Sequence, residues 1–317
     1  FDNHIGHDYL EDYEERYDLY HRKEERIQFD LDFFNKITKG GVPNKTLNIA
    51  LAGTGVGKSL FMCHVASSVL LQGKNVLYIT LEMAEEKIAE RIDANLLNVN
   101  IQNITDLPKP MFEKKVHKLK KKTQGELIIK EYPTASAHSG HFKALLNELS
   151  LKKSFKPDII FIDYLNICAS SRYRANSNVN SYSYIKAIAE ELRGLAVEAN
   201  LPIVSATQTT RSGYGSSDVD LTDTSESFGL PATADLMFAL ISTEELEGLN
   251  QIMVKQLKNR YNDPTIYKRF VIGIDRAKMR LYDCEQKAQE DIIDNGQEEE
   301  YTKENKIPKK SFTEFKF

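Results

Sequence analysis

Ala52-Gly53-Thr54-Gly55-Val56-Gly57-Lys58-Ser59 places three glycines at alternate positions and closes on a lysine and a hydroxyl. That combination suits a polyphosphate. Backbone N–H groups freed by the glycines can wrap one phosphate, and a helix opening at Lys58 would add the favourable field of its N-terminus. Lys58 would then reach the outer phosphates, and the Ser59 hydroxyl would ligate Mg²⁺. The residues expected to hold ATP, or another NTP, are Gly53, Thr54, Gly55, Val56, Gly57, Lys58, Ser59 and Leu60. Ala52 stands where the strict pattern has glycine, and only a compact residue is needed there. The plain alternative is an ordinary glycine-rich turn.

A cation on Ser59 calls for a second carboxylate at the end of a buried strand. Asp158-Ile159-Ile160-Phe161-Ile162-Asp163 is such a run, so Asp163 is expected to share the metal. Tyr164 follows it, not glutamate, so a water-polarising base directly beside Asp163 is disfavoured. Val76-Leu77-Tyr78-Ile79-Thr80-Leu81-Glu82 is a second apolar run ending in a carboxylate. Parallel strands present their carboxyl ends to one crevice. Glu82 is therefore expected to face the outer phosphate and orient the attacking water. Its alternative role is to complement the dipole of a helix starting near residue 84. Gln208 follows a third apolar run, where a neutral amide can hydrogen-bond the outer phosphate; spacing alone supports this weakly.

These side chains need a framework to meet. Apolar runs at 46–51, 75–81, 158–163, 202–206, 236–241, 251–257, 268–274 and 279–282 read as strands. Helical patterns fall at 58–71, 84–95, 110–122, 140–152 and 184–199. Such alternation predicts an α/β fold, a mostly parallel twisted sheet covered by helices on both faces. The last three or four strands have short links, which predicts an antiparallel edge.

The 317 residues divide into an opening segment (1–28), a core (29–284) and a charged tail (285–317). The opening segment is rich in Glu, Asp, Arg and Tyr. It reads as a polar helix that either links domains in solvent or docks on a neighbouring subunit. The tail has too few aliphatics to build a core and is expected to be mobile or ordered by a partner. A net charge of −4 excludes a uniformly basic coat, so nucleic-acid contacts would need local basic clusters. Three scattered cysteines fit neither a disulfide framework nor a metal site. No apolar run nears the roughly 20 residues of a membrane span, and no leader pattern opens the chain. A reducing cytoplasm, the host's for a phage-encoded protein, is the expected location, with no membrane partner. Because residue 1 is Phe, an upstream segment is also expected.

The order of these motifs resembles that of RecA-like P-loop ATPases, and their wording narrows the resemblance to DnaB-type replicative helicases. Tyr78-Ile79-Thr80-Leu81-Glu82-Met83 resembles the family's "SLEM" motif, and Ile162-Asp163-Tyr164-Leu165 its "IDYL" motif. Ala206-Thr207-Gln208-Thr209-Thr210-Arg211 is similar to "LSQLNR", and Lys258-Asn259-Arg260 to "KNR". The wording is most similar to the branch from T-even-type bacteriophages, here without that branch's N-terminal domain. The resemblance implies an ATP-driven, DNA-stimulated helicase motor assembled as a homo-hexamer around single-stranded DNA, with ATP between neighbours. It implies 5′→3′ movement, with a primase and a helicase loader as partners. It also makes Arg260 an arginine finger that reaches a neighbour's nucleotide, with Lys258 beside it; on its own, a Lys-x-Arg pair reads as surface charge.

In this family the loops after the Asp163 and Gln208 strands line the central channel. Arg172, Arg174 and Arg211 would neutralise DNA phosphates there, independently of base identity. Asp220-Leu221-Thr222-Asp223-Thr224-Ser225 partly keeps the family's "DLRESG" DNA loop, and Asp223 and Thr224 are its candidate DNA-side residues. Thr222 stands where the family has Arg, so backbone groups or Arg211 would have to substitute. The plain alternative is that both stretches are mobile surface loops. The lysines at 114, 115, 118, 120, 121 and 122 form either a solvated helix face or a subunit or duplex contact. Outside helicases, the remaining readings are a strand-exchange ATPase and a nucleotide-binding assembly or signalling module.

Overall fold

The computed structural model describes residues 6–174, 177–208 and 230–284. Its strands are β1 Arg26–Ile27, β2 Val42–Pro43, β3 Leu47–Ala52, β4 Val76–Thr80, β5 Leu127–Glu131 and β6 Ile159–Asp163. They continue as β7 Ile203–Gln208, β8 Leu236–Ile241, β9 Gln251–Asn259, β10 Arg269–Asp275 and β11 Arg280–Asp283. The helices are α1 Tyr13–His21, α2 Asp32–Ile37, α3 Lys58–Leu71, α4 Glu85–Leu96 and α5 Lys109–Lys122. After them come α6 Ser139–Lys153, α7 Ser181–Ala199, α8 Leu230–Thr233 and α9 Glu244–Gly248.

Nine strands form one sheet in the order β11-β10-β9-β8-β3-β7-β6-β4-β5. From β8 to β5 neighbours run parallel, and β9, β10 and β11 add the expected antiparallel edge. The eight runs read as strands all occur, shifted by a residue or two. β5 was not foreseen: it is a half-exposed edge strand whose apolar residues, Leu127, Ile128 and Ile129, lie between Glu126 and Lys130. The two-stranded β1-β2 ribbon is too short to leave a pattern.

Burial on both faces explains why the central strands are apolar throughout. Leu47, Ile49 and Leu51 of β3 face a cluster with α6 and α7, while Ala50 and Ala52 face α3. Those two small residues let α3 lie close against the strand that carries the glycine-rich loop. α3 itself is apolar all round and largely buried, as a helix between sheet and α4 must be. Phe34 of α2 sits 5.1–5.6 Å from Phe61, Phe238 and Phe270, centroid to centroid, so the segment before β3 is anchored in the core. α7 is capped by the Asn180 side chain on Ser183 N–H (2.8 Å) and ends at Asn200, whose φ of 54° stops the helix. By contrast, α1 buries none of its residues.

Candidate functional site

The loop between β3 and α3 turns at Gly55 (φ 75°) and Gly57 (φ 135°), backbone conformations in which a side chain would be strained. Phe61 N–H closes the first turn of α3 on the Gly57 carbonyl at 2.8 Å. Lys58 and Ser59 then occupy the first turn, directly beneath the loop. Lys58 Nζ lies 3.1 Å from Glu82 Oε2 and 3.3 Å from Asp163 Oδ1, and Ser59 Oγ donates to Asp163 Oδ2 at 2.9 Å. The Lys58 ammonium also sits 3.4 Å from the Tyr164 ring centroid. The Asp163–Tyr164 peptide is cis.

Register explains why two carboxylates from different strands converge. β4 and β6 are neighbours, Thr80 pairs with Asp163, and Leu81 N–H donates to the Asp163 carbonyl at 3.0 Å. Glu82 is the next residue, lifted over the crevice by a turn in which Thr80 Oγ1 accepts Met83 N–H at 3.1 Å. Asp163 is 0% exposed, whereas the Glu82 side chain is 44% exposed. One carboxylate is thus buried and the other open to solvent. Gln208 ends β7 opposite Ala52, at the root of the loop. Its neighbour Thr207 donates from Oγ1 to Asn166 Oδ1 at 2.7 Å.

Three residues at this site left no motif. Tyr78, in the middle of β4, donates its hydroxyl to Asp163 Oδ2 at 2.9 Å. Burial first, then the Asp163 charge, push its pKa well above the ordinary phenol value, so it remains a donor. Cys63, 3.8 Å from that hydroxyl, has a thiol pushed by burial up to about 12. The available signal was that a tyrosine in a buried strand must find a partner for its hydroxyl. Arg276, in the β10-β11 turn, donates to the Val56 carbonyl at 2.9 Å and the Gly55 carbonyl at 3.4 Å. Beside it, Gly55, Asn250, Gln251, Ile274, Arg276 and Tyr282 help line a cleft of about 820 Å³.

Arg260 and Lys258 do not join this cluster. Arg260 N–H donates to the Asp235 carbonyl (2.8 Å), and Asp235 N–H donates to the Leu47 carbonyl (2.9 Å), at the start of β3. The glycine-rich loop leaves the other end of that strand. Five residues at about 3.3 Å each separate the two ends by roughly 16 Å. Lys258 Nζ shares the Ala232 carbonyl (3.1 Å) with Arg260 Nη2 (3.2 Å). Its pKa is lowered by burial, then by the Arg260 charge.

Of the candidate DNA residues, Arg172 is exposed and donates to Glu190 Oε2 of α7 at 2.6 Å, and Arg174 is exposed. Glu191, on the next position of α7, accepts Ser170 Oγ (2.9 Å) and Ser171 N–H (2.6 Å). Arg211, Asp223 and Thr224 lie outside the described residues. The lysines of α5 are largely exposed, and Lys115 reaches the Leu97 carbonyl at 3.3 Å. Among the described residues, no helix is long and apolar enough to cross a membrane.

A family described as DnaB-like helicase C terminal domain matches residues 27–269. The chain is 47% identical over 289 residues to a DnaB-like replicative helicase of Enterobacteria phage T4, covering 90% of this chain and 61% of that protein. It is 29% identical over 222 residues to a probable plasmid replicative DNA helicase of Chlamydia psittaci, covering 67% of this chain and 46% of that protein. The chain therefore spans less than two thirds of the length of these relatives. Two solved structures share its fold. One is a DnaB-like replicative helicase described with its interactions with primase, at a TM-score of 0.72 and 16% identity over 88% of this chain and 69% of that chain. The other is the ATPase domain of G40P, at a TM-score of 0.70 and 17% identity over 87% of this chain and 97% of that chain. The fold expected from the motif order and the short links between the last strands, RecA-like with an antiparallel edge, is the fold of this chain.

Proposed function

The chain belongs to the DnaB-like helicase C-terminal-domain family, and from that membership we propose that it is an ATP-driven replicative helicase motor. It would form a hexameric ring, move on single-stranded DNA in the 5′→3′ sense and separate the duplex at a replication fork. One observation carries the reading: Lys58, Ser59, Glu82 and Asp163 meet at one end of β3, while Arg260 and Lys258 stand at the other. A complete set of phosphate ligands then needs two subunits.

The residues present suit Mg-ATP. Ser59 and Asp163 offer an all-oxygen donor pair, the set a hard cation such as Mg²⁺ prefers. Ser59 and Asp163 would hold the ion, which when bound would supply positive charge to offset the charge developing on the phosphates. Gly53, Thr54, Gly55, Val56, Gly57 and Leu60 would line the phosphates, and the 820 Å³ cleft beside the loop has room for base and ribose. Lys58, now between two carboxylates, would turn to the outer phosphates. That frees Glu82, the more exposed carboxylate, to orient water. Gln208, at the loop's root, would register the outer phosphate. Arg260 of one subunit, with Lys258 beside it, would complete the neighbour's site, a contribution worth about 10³–10⁵ in rate for arginine fingers.

Arg172, Arg174, Arg211, Asp223 and Thr224 are assigned to the DNA channel. The Glu190 partner of Arg172 would be exchanged for a phosphate. The exposed Tyr13, Tyr17, Leu19 and Tyr20 of α1 support the docking of residues 1–28 on a neighbour. A primase and a loader are the proposed partners, and the cytoplasm the proposed location. Residues 29–284 would be the motor and 285–317 a separate charged tail. The test is ATP turnover with and without single-stranded DNA, alongside unwinding of a forked duplex. Stimulated turnover with unwinding is expected; turnover indifferent to DNA would overturn the motor reading.

A further inference from the structure

Asp235 stands immediately before β8 with its side chain 6% exposed, between two arginines. Its Oδ1 accepts Arg260 Nη1 at 2.9 Å and Arg193 Nη2 at 3.3 Å. Its Oδ2 accepts Leu47 N–H at 2.9 Å and Arg193 Nε at 3.3 Å. The backbone is engaged as well, through Leu47 on one side and Arg260 on the other. We infer that Asp235 is the positioning residue that aims the Arg260 finger, with Arg193 as its counter-anchor. This rests on the reading of Arg260 as a finger acting on a neighbouring subunit.

A buried carboxylate is costly unless charged partners satisfy it. Joining β3 to β8 needs only the backbone pairs already present, so that role leaves the two guanidinium groups unexplained. Arg260, in contrast, is held at three points: its N–H on the Asp235 carbonyl, Nη1 on the carboxylate, and Nη2 on the Ala232 carbonyl. Its side chain is still 43% exposed, so the grip fixes a direction without covering the group. An arginine oriented before the reaction loses no rotamer freedom at the transition state, and a misplacement of about 1 Å can cost on the order of 10²-fold.

Charge points the same way. Arg193, Arg260 and Lys258 gather around this one carboxylate, a local excess of positive charge suited to an incoming triphosphate. Arg193 lies on α7 three and two residues beyond Glu190 and Glu191, which hold Arg172, Ser170 and Ser171. The anchor is therefore built on the helix that also fixes the candidate DNA segment.

Subunit mixing tests the inference in the full chain. Lys58→Ala leaves a native finger beside a dead loop, and Asp235→Asn leaves a native loop beside a misdirected finger. Asp235→Asn alone should lower DNA-stimulated kcat by about 10²-fold with nucleotide affinity unchanged. Mixed one to one with Lys58→Ala, activity should return to as much as about a quarter of the native rate if interfaces act independently. A misfolded Asp235→Asn chain has no working loop to rescue. Native turnover by Asp235→Asn alone, or a slow variant that mixing does not rescue, overturns the positioning role. The parallel mixture of Arg260→Ala with Lys58→Ala separates the two levels. If it fails to recover activity, the trans finger itself falls, and the role of Asp235 with it.

Discussion

Arg276 donates to the carbonyl of Val56 at 2.9 Å, so the antiparallel edge of the sheet holds the glycine-rich loop from across the molecule. The same guanidinium reaches the Gly55 carbonyl at 3.4 Å. These two contacts fix the loop's outer carbonyls, and on the proposed reading they hold the loop in shape for a phosphate. Arg276→Ala should therefore weaken nucleotide binding more than it slows chemistry. The contact is exposed, so a net loss of about 1 kcal/mol, roughly a five- to tenfold rise in nucleotide Kd, is expected. Titration with a fluorescent ATP analogue measures it. An unchanged Kd would show that the loop keeps its shape unaided.

Tyr78 lies beneath Ser59 and Asp163, the pair proposed to hold Mg²⁺. Its hydroxyl is 2.9 Å from Asp163 Oδ2, and its ring stacks on Phe161 with centroids 6.0 Å apart. Tyr78→Phe keeps the ring and removes one of the donors that orient the carboxylate. Groups behind a metal ligand typically contribute 10- to 100-fold in metal affinity. The Mg²⁺ concentration for half-maximal hydrolysis should rise about tenfold, while unfolding shifts by only about 1–3 kcal/mol. A native Mg²⁺ profile would reduce Tyr78 to packing.

Much of this site was legible because its signals are local. The glycine spacing, the Asp163 and Glu82 run ends and the helix opening at Lys58 each lie within one short segment, and apolar strands bracket them. Contacts across the sheet order left no such trace. Arg276 and Val56 are 220 residues apart, and Asp235 meets Leu47 across a separation of 188. Only the sheet order, which lays β8 beside β3 and then β9, β10 and β11 beyond it, makes those pairs neighbours. β5 escaped for a different reason: at an edge only one flank is paired and the apolar run shortens. Tyr78 was hidden by reading as one more apolar strand residue.

Asp93 of α4 offers a pH test of stability that does not touch the nucleotide site. Burial, with a smaller push from Glu90, raises its carboxyl pKa to about 6. In the unfolded chain the value is about 3.9. The folded state thus binds this proton more tightly, and ionisation costs stability as pH rises from about 4 to about 6. Asp93→Asn should raise Tm at pH 7–8 and lose that advantage below about pH 4. Because the group is partly exposed, the gain is about 1 kcal/mol or slightly more. Thermal unfolding of both proteins across that range decides it. A gain independent of pH would assign the effect to packing.

Glu82 separates binding from chemistry. In the structure its Oε2 accepts Lys58 Nζ at 3.1 Å, so on the proposed reading it would compete with phosphate oxygens for the same ammonium. Glu82→Gln keeps the shape and removes the negative charge. Lys58 is then freer to meet the nucleotide, and ATP should bind as tightly as before or more so. Hydrolysis should fall by about 10²–10⁴-fold, the usual contribution of a positioned general base. Asp163→Asn should behave differently, losing Mg²⁺-dependent binding together with turnover, because Asp163 is the buried partner of Ser59. Parallel measurement of nucleotide Kd and single-turnover rate distinguishes the two carboxylates. If Glu82→Gln hydrolyses ATP at the native rate, the base lies elsewhere and Glu82 serves only to hold Lys58 until nucleotide arrives.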